Sequence, residues 1–316
     1  MSGVVIDAPW GGEGLPKAGE ARACDFARRS VGGGFNAMAA SKRLGADVAY
    51  GGALGVGPLA DIARAALGAE DIDSLQTRMM SVDQGVCFVL EAPNRERRFL
   101  LHPGAERRAT AADLAAIPVG DFAWALLGGY AAPQPPETDI FGAWLEALPR
   151  GVRLMFDPTS LVLDIDRARV AIALARADWI SANRTEAEAL TGHADPAAAA
   201  PALSCGREGA VVRDGARGCW LSLDGRDAEP IAGFAVEAVD TTGAGDTHIG
   251  AFIAARLAQR DPRVASRFAN AAAAISVTRR GPATSPNLAE TLAFLAARDD
   301  DPIWACEQQA LGPEQT

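Results

Sequence analysis

The segment Asp240-Thr241-Thr242-Gly243-Ala244-Gly245-Asp246 decides the fold, and it stands directly before an amphipathic helical pattern over Ala244–Ala258. Its two glycines let the backbone approach a ligand closely, and N–H groups at a helix N-terminus face an anion. Asp246, beside that anion site, is suited to accepting a proton from an attacking hydroxyl. The alternative is a glycine-rich helix start in which Asp246 only stabilises the helix dipole.

Outward from this segment, short apolar runs alternate with longer helical patterns, which predicts βαβ units around a mainly parallel sheet. We predict a single domain over residues 1–300, followed by a C-terminal tail over 301–316. The predicted strands are Val48–Gly51, Trp124–Leu127, Val152–Phe156, Trp179–Ser181, Ala210–Arg213 and Cys219–Leu223. The predicted helices are Asn36–Leu44, Leu59–Leu67, Ile140–Leu148, Arg167–Ala175, Thr185–Leu190, Ala244–Ala258, Arg263–Val277 and Leu288–Ala297.

A predicted β-hairpin interrupts this alternation. Gly85–Glu91 and Arg97–His102 read as strands joined by the turn Ala92–Arg95, and Ala21–Ser30 is a further possible strand. These segments, 21–30 and 85–102, predict a small sheet that acts as a lid over the active site. An antiparallel edge on the main sheet is an equal alternative.

Composition excludes several classes of protein. The 316 residues carry a net charge of −10, so no basic footprint for nucleic acid is present. The five cysteines are odd in number and scattered, which argues against a disulfide framework and favours a reducing compartment. No run approaches a membrane span and Met1–Trp10 lacks signal character, so a cytoplasmic protein without membrane contact is expected.

Other short motifs each have a structural explanation beside the functional one, and for Asn183–Glu186 the structural one is favoured when the segment is taken alone. Gly32-Gly33-Gly34-Phe35-Asn36 is either a glycine-rich helix entry or a close-approach site whose Asn36 amide both donates and accepts. Asn183-Arg184-Thr185-Glu186 is either a capping box or a site near a hard cation. Ser204-Cys205-Gly206-Arg207-Glu208-Gly209 is either a plain turn or a nucleotide loop.

In this order the motifs resemble those of the ribokinase-like (PfkB) sugar kinases, from about Val4 to Pro286. The resemblance implies an α/β three-layer sandwich with a mainly parallel sheet and a small β lid. It also implies ATP and Mg²⁺, in some members K⁺, a small sugar or nucleoside acceptor, and a homodimer. Members of this family usually begin with a longer first strand. The alternatives are that the native chain has a short start, or that the start of this sequence is truncated or misassigned.

By the same resemblance each site residue receives a role. Asp246 is the base, and the amides of Gly243, Ala244 and Gly245 form the anion hole. The sugar is bound by Asp7, Gly32, Gly33, Gly34 and Asn36. The nucleotide is bound by Asn183, Ser204, Gly206, Gly209 and Asn270. Glu186 supports Mg²⁺, often through water, and a monovalent cation is assigned to Asp240, Thr242 and Ser285.

Three functions remain open from the sequence. The first is a sugar kinase acting on a ketose, pentose or sugar acid, and the second is a nucleoside kinase on the same fold. The third is a non-catalytic sugar- or nucleotide-binding regulator, which the presence of Asp246 and its anion hole argues against. No acidic residue stands near Gly128-Gly129-Tyr130, which weakens an assignment to ribose.

Overall fold

The computed structural model describes residues 3–11, 18–21, 23–76, 79–91, 97–129, 138–159, 162, 167–298 and 303–304. The strands in chain order are β1 Val4–Gly11, β2 Phe26–Ala27, β3 Ser30–Gly33, β4 Ala49–Tyr50, β5 Asp73–Ser74, β6 Val86–Glu91, β7 Arg97–His102, β8 Trp124–Gly128, β9 Arg153–Asp157, β10 Trp179–Asn183, β11 Gly209–Arg213, β12 Gly218–Ser222 and β13 Glu229–Ala232. The helices are α1 Gly34–Arg43, α2 Pro58–Ala69, α3 Ala111–Ala115, α4 Thr138–Ala147, α5 Arg167–Arg176, α6 Arg184–Thr191, α7 Pro196–Ser204, α8 Ala244–Leu257, α9 Pro262–Val277 and α10 Leu288–Ala296.

The larger sheet has six strands in the order β13-β12-β11-β10-β9-β8. Strands β8 to β11 are parallel, and β12 and β13 join them as an antiparallel edge. Leu154, Met155 and Ile180 in β9 and β10 are fully buried, as expected for parallel strands covered on both faces. One face packs on Phe252 of α8 and Phe268 of α9, and the other packs on α4, α5, α6 and α7. The predicted three-layer α/β sandwich with its mainly parallel sheet is therefore confirmed.

The smaller sheet contains the predicted hairpin. Strand β1 lies at its centre, paired with β2 and β3 on one side and in parallel with β6 on the other, and β7 pairs with β6. The hairpin runs from the pair Val86–His102 to the pair Glu91–Arg97, while its predicted turn, 92–95, lies outside the described residues. The possible strand over Ala21–Ser30 is two short strands, β2 and β3. The hairpin therefore belongs to a separate sheet and not to an edge of the larger one.

A third, two-stranded sheet pairs β4 with β5. A cavity of about 160 Å³ lies between it and the edge strand β8, and its lining includes Met38, Tyr50, Trp124, Trp144 and Ile253. The residues that line this cavity are largely apolar.

Several elements were not predicted from the sequence. Strands β1, β5 and β13 and helix α3 are absent from the predicted elements, and the sequence of the alanine-rich segment Ala197–Ala202 predicts a surface helix turn or loop. It is the middle of α7, where Ala199, Ala200 and Leu203 are buried against the larger sheet. The alanine-rich composition hid an inward-facing surface, because small side chains allow the helix to pack closely on β11 and β12.

Two expectations about the surroundings can be compared with the structure. Cys24, Cys87, Cys205 and Cys219 are free. None of the helices in the described ranges has the length and apolar character needed to cross a bilayer. Most of the predicted tail over 301–316 lies outside the described residues.

Candidate active site

The carboxyl ends of three parallel strands bring charged and polar side chains to one edge of the larger sheet. Strand β9 ends at Asp157, β10 at Asn183 and β11 at Arg213, and Asn183 and Arg213 are direct neighbours in the register. Ligands of open α/β sheets bind outside this edge. The N-terminus of α8 reaches the same place, since Asp246 interacts electrostatically with Arg213 and with Asp157.

The predicted base and a predicted sugar ligand are in direct contact. Asn36 Nδ2 donates a hydrogen bond of 2.9 Å to Asp246 Oδ2. The contact is fixed by the packing of α1 on α8, where Ser41 Oγ donates to the Gly250 carbonyl oxygen at 2.9 Å. Asn36 Oδ1 is buried and has no partner among the described atoms, so it offers an acceptor to a ligand hydroxyl.

Asp7 lies in the middle of β1, close enough to Asp246 for their charges to interact. Its carboxylate rests on the bare Cα of Gly32, where a Cβ would overlap with Oδ2. Gly33 has φ +62°, and a Cβ there would overlap the Gly3 carbonyl oxygen. Gly34 begins α1 and donates its N–H to the same oxygen at 2.9 Å. The glycine run therefore seats Asp7 and starts the helix that carries Asn36.

The glycines before Asp246 have two different structural causes. Gly243 caps α8 in the left-handed region with φ +74°, and a Cβ there would overlap the Pro282 carbonyl oxygen. A Cβ on Gly245 would overlap Nη1 of Arg213. Gly245 lies in the first turn of α8, so its N–H is among those a helix leaves free for an anion, whereas the Ala244 N–H donates to the Thr241 carbonyl oxygen at 3.3 Å.

Three carboxyl groups of the site share a raised pKa. Burial raises the pKa of Asp7 to about 7, and the nearby charge of Asp246 adds to the shift. Burial also raises the pKa of Asp157 to about 7, against the lowering effect of Arg213. Burial raises the pKa of Asp246, while the hydrogen bond from Asn36 and the charge of Arg213 oppose that shift. Such a concentration of shifted acids is typical of functional sites.

Asn183 and Glu186 form the capping box of α6 and also face the site. Glu186 Oε1 accepts from Asn183 Nδ2 and Oε2 from the Asn183 backbone N–H, both at 2.7 Å. Arg213 Nη2 lies 3.3 Å from the same Oε2. Each carboxylate oxygen keeps a further lone pair. The site therefore fits a Mg²⁺ ion reached through water better than one bound directly to Glu186, and the described residues contain no preformed cluster of three or more metal-binding side chains.

Ser204, Gly206 and Gly209 lie at the wrong end of β11 for the predicted nucleotide loop. Gly209 begins β11, four residues or roughly 13 Å before Arg213 at the site edge. Ser204 is fully buried at the end of α7, where its Oγ lies 2.7 Å from Ser222 Oγ and accepts from the Gly225 N–H. The motif follows a helix, whereas the site needs a turn that follows the carboxyl end of a strand.

Asn270, predicted at the adenine pocket, is buried and internally bonded. Its Nδ2 donates at 3.0 Å to the carbonyl oxygens of Ile231 and Ala232, and its Oδ1 lies 3.2 Å from His248 Nε2. Burial lowers the pKa of His248 to about 3, so the imidazole is neutral. Asn270 therefore anchors the end of β13 to α9 and α8.

The predicted monovalent-cation residues are only partly brought together. Asp240 Oδ1 accepts from the N–H and the hydroxyl of Thr242, and Oδ2 accepts from the Gly281 N–H at 3.1 Å. The backbone oxygen and Oγ of Ser285 instead accept from Arg43 Nη1 at 3.2 Å. A guanidinium group therefore already contacts the Ser285 oxygens.

The sequence reasoning missed three features of this edge. Asp157 directly follows the buried run Leu154–Phe156, and that position was its signal. Arg213 ends the next strand but one in the sheet and was treated only as a strand residue. The turn Gly215-Ala216-Arg217-Gly218 repeats the Gly-x-x-Gly spacing, and it joins β11 to β12 at the site edge. Asking which of the two Gly-x-x-Gly segments follows a strand distinguishes them.

Comparison with known proteins agrees with this geometry. The family model described as pfkB family carbohydrate kinase matches residues 13–289. A ribokinase of Haemophilus influenzae is 33% identical over 303 residues, covering 92% of this chain and 94% of the relative. An uncharacterized sugar kinase of Escherichia coli is 30% identical over 284 residues, 86% of each chain. The crystal structure of a Thermotoga maritima ribokinase has a TM-score of 0.78 at 25% identity, covering 93% of this chain and 97% of that one.

The fold and the site thus define a sugar-kinase class of α/β enzyme. The chain belongs to the pfkB family of carbohydrate kinases, because the family match spans most of its length and the relatives align over nearly all of theirs. A Burkholderia thailandensis nucleoside kinase solved with inosine shares the fold, with a TM-score of 0.74 at 20% identity.

Proposed function

We propose that this kinase transfers the γ-phosphoryl group of ATP to a hydroxyl of a small sugar or sugar-like acceptor, with Asp246 as general base. The observation that carries the proposal is the hydrogen bond between Asn36 and Asp246 at the N-terminus of α8. It joins an acceptor-binding side chain to a carboxylate beside an anion site. The acceptor proton passes to Asp246 while its oxygen bonds to phosphorus, and ADP leaves with the electrons of the broken P–O bond.

On the acceptor side, the proposed ligands are Asp7 and Asn36. Asn36 Oδ1 is a buried acceptor without a partner among the described atoms, and Asp7 lies close enough to Asp246 for their charges to interact. Glycines 32, 33 and 34 hold the backbone where these groups converge. Hydroxyl groups are suitable ligands because each can donate to one group and accept from another.

On the nucleotide side, the proposed phosphate contacts are the amides of Gly243, Ala244 and Gly245, together with Asn183. The turn from Gly215 to Gly218 replaces the segment at Ser204 in our assignment of the nucleotide loop. It lies at the same sheet edge as Asn183, and Gly215 and Gly218 have φ values of +60° and +98°. Asn270 supports this region from below through β13.

Mg²⁺ is proposed as the cofactor, held mainly by the ATP phosphates and reached by Glu186 through water. When bound, it neutralises charge on the phosphate oxygens during transfer. Among the solved structures with this fold, a putative Escherichia coli ribokinase II was determined with ATP and Mg²⁺. K⁺ is proposed only for Asp240 and Thr242, since Ser285 is engaged by Arg43.

The smaller sheet is proposed as a lid and as the contact of a homodimer in the cytoplasm. Asp7 pairs with Cys87 across β1 and β6, so the hairpin is continuous with the acceptor site. Leu100 on β7 is 71% exposed and lies opposite Phe88 of β6, which is 42% exposed, so the two side chains share one face of the hairpin. Neighbouring exposed apolar side chains of this kind are typical of interaction surfaces.

A nucleoside is the second candidate acceptor, supported by the fold that this chain shares with nucleoside kinases. The test is a screen of ATP consumption across pentoses, hexoses, sugar acids and nucleosides with Mg²⁺, with and without K⁺. Asp246→Asn runs in parallel as the inactive control. ATP consumption above that control with one acceptor class supports the proposal and names the class. No consumption with any acceptor would contradict it.

A further inference from the structure

Arg213 is a buried cation that the assigned reaction does not yet use. It is the last residue of β11, and its side chain is 14% exposed. Side chains at this end of the parallel strands face the ligand edge. Burial of an arginine in such a place is costly unless its charge and its donors are matched.

Only one nitrogen of the guanidinium group, Nη2, makes hydrogen bonds among the described residues. Nη2 lies 3.3 Å from Asp157 Oδ1, 3.3 Å from Glu186 Oε2 and 3.4 Å from the Ser181 carbonyl oxygen. These distances are longer than the 2.7–2.9 Å of a well-formed charge-assisted hydrogen bond. Nε is buried without a partner among the described atoms, and the described hydrogen bonds of Arg213 all use Nη2. Several of its five N–H groups are thus left for another acceptor.

The side of the guanidinium that carries Nη1 faces the anion site. It lies against Gly245, so closely that a Cβ at that position would overlap Nη1. The N–H groups that begin α8 converge on the same region. A planar guanidinium next to free amides is suited to a phosphate group, which offers several oxygens to parallel donors.

The charges of the site indicate the same ligand. Asp157, Glu186 and Asp246 surround the place where a triphosphate would bind, and each is within electrostatic reach of Arg213. A polyanionic ligand would be repelled by these carboxylates unless a cation stands between them. We expect the guanidinium group of Arg213 to lie between these carboxylates and the bound phosphates.

Resting on the function proposed above, we propose that Arg213 is a further catalytic residue, which contacts the transferring γ-phosphoryl group of ATP. It forms no covalent bond. In the absence of nucleotide it pairs weakly with Asp157 and Glu186. With ATP bound, its unused N–H groups bind γ-phosphate oxygens and stabilise the charge that develops there during transfer.

The test compares Arg213→Gln and Arg213→Lys with the control Arg153→Gln. Arg153 begins β9 at the opposite edge of the same sheet and pairs with Glu208 on the surface. Calorimetry measures the binding of ADP and of the non-hydrolysable imido analogue of ATP, and kinetics measures kcat with the acceptor from the screen. The binding arm requires no acceptor.

Arg213→Gln should weaken binding of the analogue about tenfold or more while ADP affinity changes little, since a lost charge-assisted bond is worth at least one such factor. Its kcat should fall about 10²–10³-fold. Arg213→Lys should show intermediate values of analogue affinity and kcat, because lysine keeps the charge but lacks the parallel N–H donors of the guanidinium group. Arg153→Gln should match the parent in both measurements.

The double variant Asp157→Asn/Arg213→Gln separates this role from simple charge neutralisation, and it is the fallback if Arg213→Gln does not fold. Recovery of parental kcat in the double variant would overturn the proposal, as would equal losses for ADP and the analogue. A parent chain that binds neither nucleotide would overturn the proposed function itself. A parent that binds both, with an Arg213→Gln variant that keeps the parental preference, would overturn only the role of Arg213.

Discussion

Asn36 donates its side-chain amide to Asp246 across 210 residues of sequence, over 2.9 Å. The donor ends the glycine run that starts α1, and the acceptor lies in the first turn of α8. Burial raises the pKa of Asp246, and the hydrogen bond from Asn36 opposes that rise. One contact thus positions the base and ties it to the acceptor site.

Asp246→Asn should abolish phosphoryl transfer while leaving the fold and nucleotide binding largely intact. Asparagine keeps the shape but cannot take the acceptor proton, so turnover should fall by about 10²–10⁴ or more. ATP affinity should stay or rise slightly, because a negative charge near the phosphates is removed. Steady-state kinetics and calorimetry measure both, with the exposed Asp224→Asn as control. Turnover within about threefold of the parent would falsify the assignment of the base.

Gly32→Ala should raise the acceptor KM about tenfold or more, because the new Cβ displaces the Asp7 carboxylate and small misplacements in a site are expensive. Gly68→Ala is the matched control. Gly68 lies on the exposed side of α2 with no atom near its hypothetical Cβ, so alanine there should add about 0.5–1 kcal/mol of stability. An unchanged acceptor KM for Gly32→Ala would show that Asp7 does not bind the acceptor.

The elements predicted from the sequence are those with strong local signals. The apolar runs of β8 to β12 and the eight predicted helices appear within a few residues of their predicted bounds. Strand β1 is not predicted because Asp7 and Pro9 interrupt its apolar run, yet pairing with both β3 and β6 makes it central to its sheet. Long-range pairing of this kind leaves no local pattern.

Within the site, the residues that are adjacent in sequence could be predicted, and those brought together from distant segments could not. The segment around Asp246 reads correctly as a helix start because its glycines and its helix are adjacent in sequence. Asp157 and Arg213 end β9 and β11, and Glu186 lies in the first turn of the helix that follows β10. Only the order of β9, β10 and β11 in the sheet brings them together. The displaced prediction at Ser204 has the same origin, because sequence spacing does not reveal at which end of a strand a turn lies.

Replacing Leu100 by glutamate should convert the proposed dimer to a monomer. A charge placed in an apolar contact loses its hydration without gaining a partner. Light scattering measures the mass, and Leu288→Glu on the exposed start of α10 serves as the control. The Leu288→Glu control should keep the mass of the parent, and both variants should still unfold in one cooperative thermal transition, which excludes loss of the fold as the cause of a lower mass. A parent that is monomeric at all concentrations would contradict the dimer and leave the lid untouched.

In the parent, the free energy of unfolding should fall as pH rises from about 4 to 7, and Asp157→Asn should make this fall smaller. The folded-state pKa of Asp157 is about 7 against an ordinary value of 3.8, so in this window the folded chain binds the extra proton. Stability contributed by that proton is therefore lost as pH rises. Each pKa unit corresponds to about 1.4 kcal/mol, so the pH-dependent change should shrink by on the order of 1–4 kcal/mol. Urea unfolding at pH 5 and pH 8 measures it, and an unchanged difference would contradict the assignment.

Glu186→Gln should weaken metal-dependent turnover more than it weakens acceptor binding. The change removes charge near the proposed Mg²⁺ position and keeps the size of the side chain, so the Mg²⁺ concentration needed for half-maximal rate should rise and kcat should fall. It also alters the capping box of α6, which alone would lower stability by about 0.5–2 kcal/mol.

Glu290→Gln separates these two effects. Glu290 occupies the same third position in the capping box of α10, whose N-cap residue is Asn287. Like Glu186, it also forms a salt bridge with an arginine, here Arg279. Both variants lose the carboxylate of a capping box, and the loss of stability in thermal unfolding should be at least as large for the buried Glu186 as for the half-exposed Glu290. Only Glu186→Gln should change the Mg²⁺ dependence of the rate. If the two variants show the same Mg²⁺ titration, Glu186 acts as a helix cap alone, and the metal must be held by the nucleotide without it.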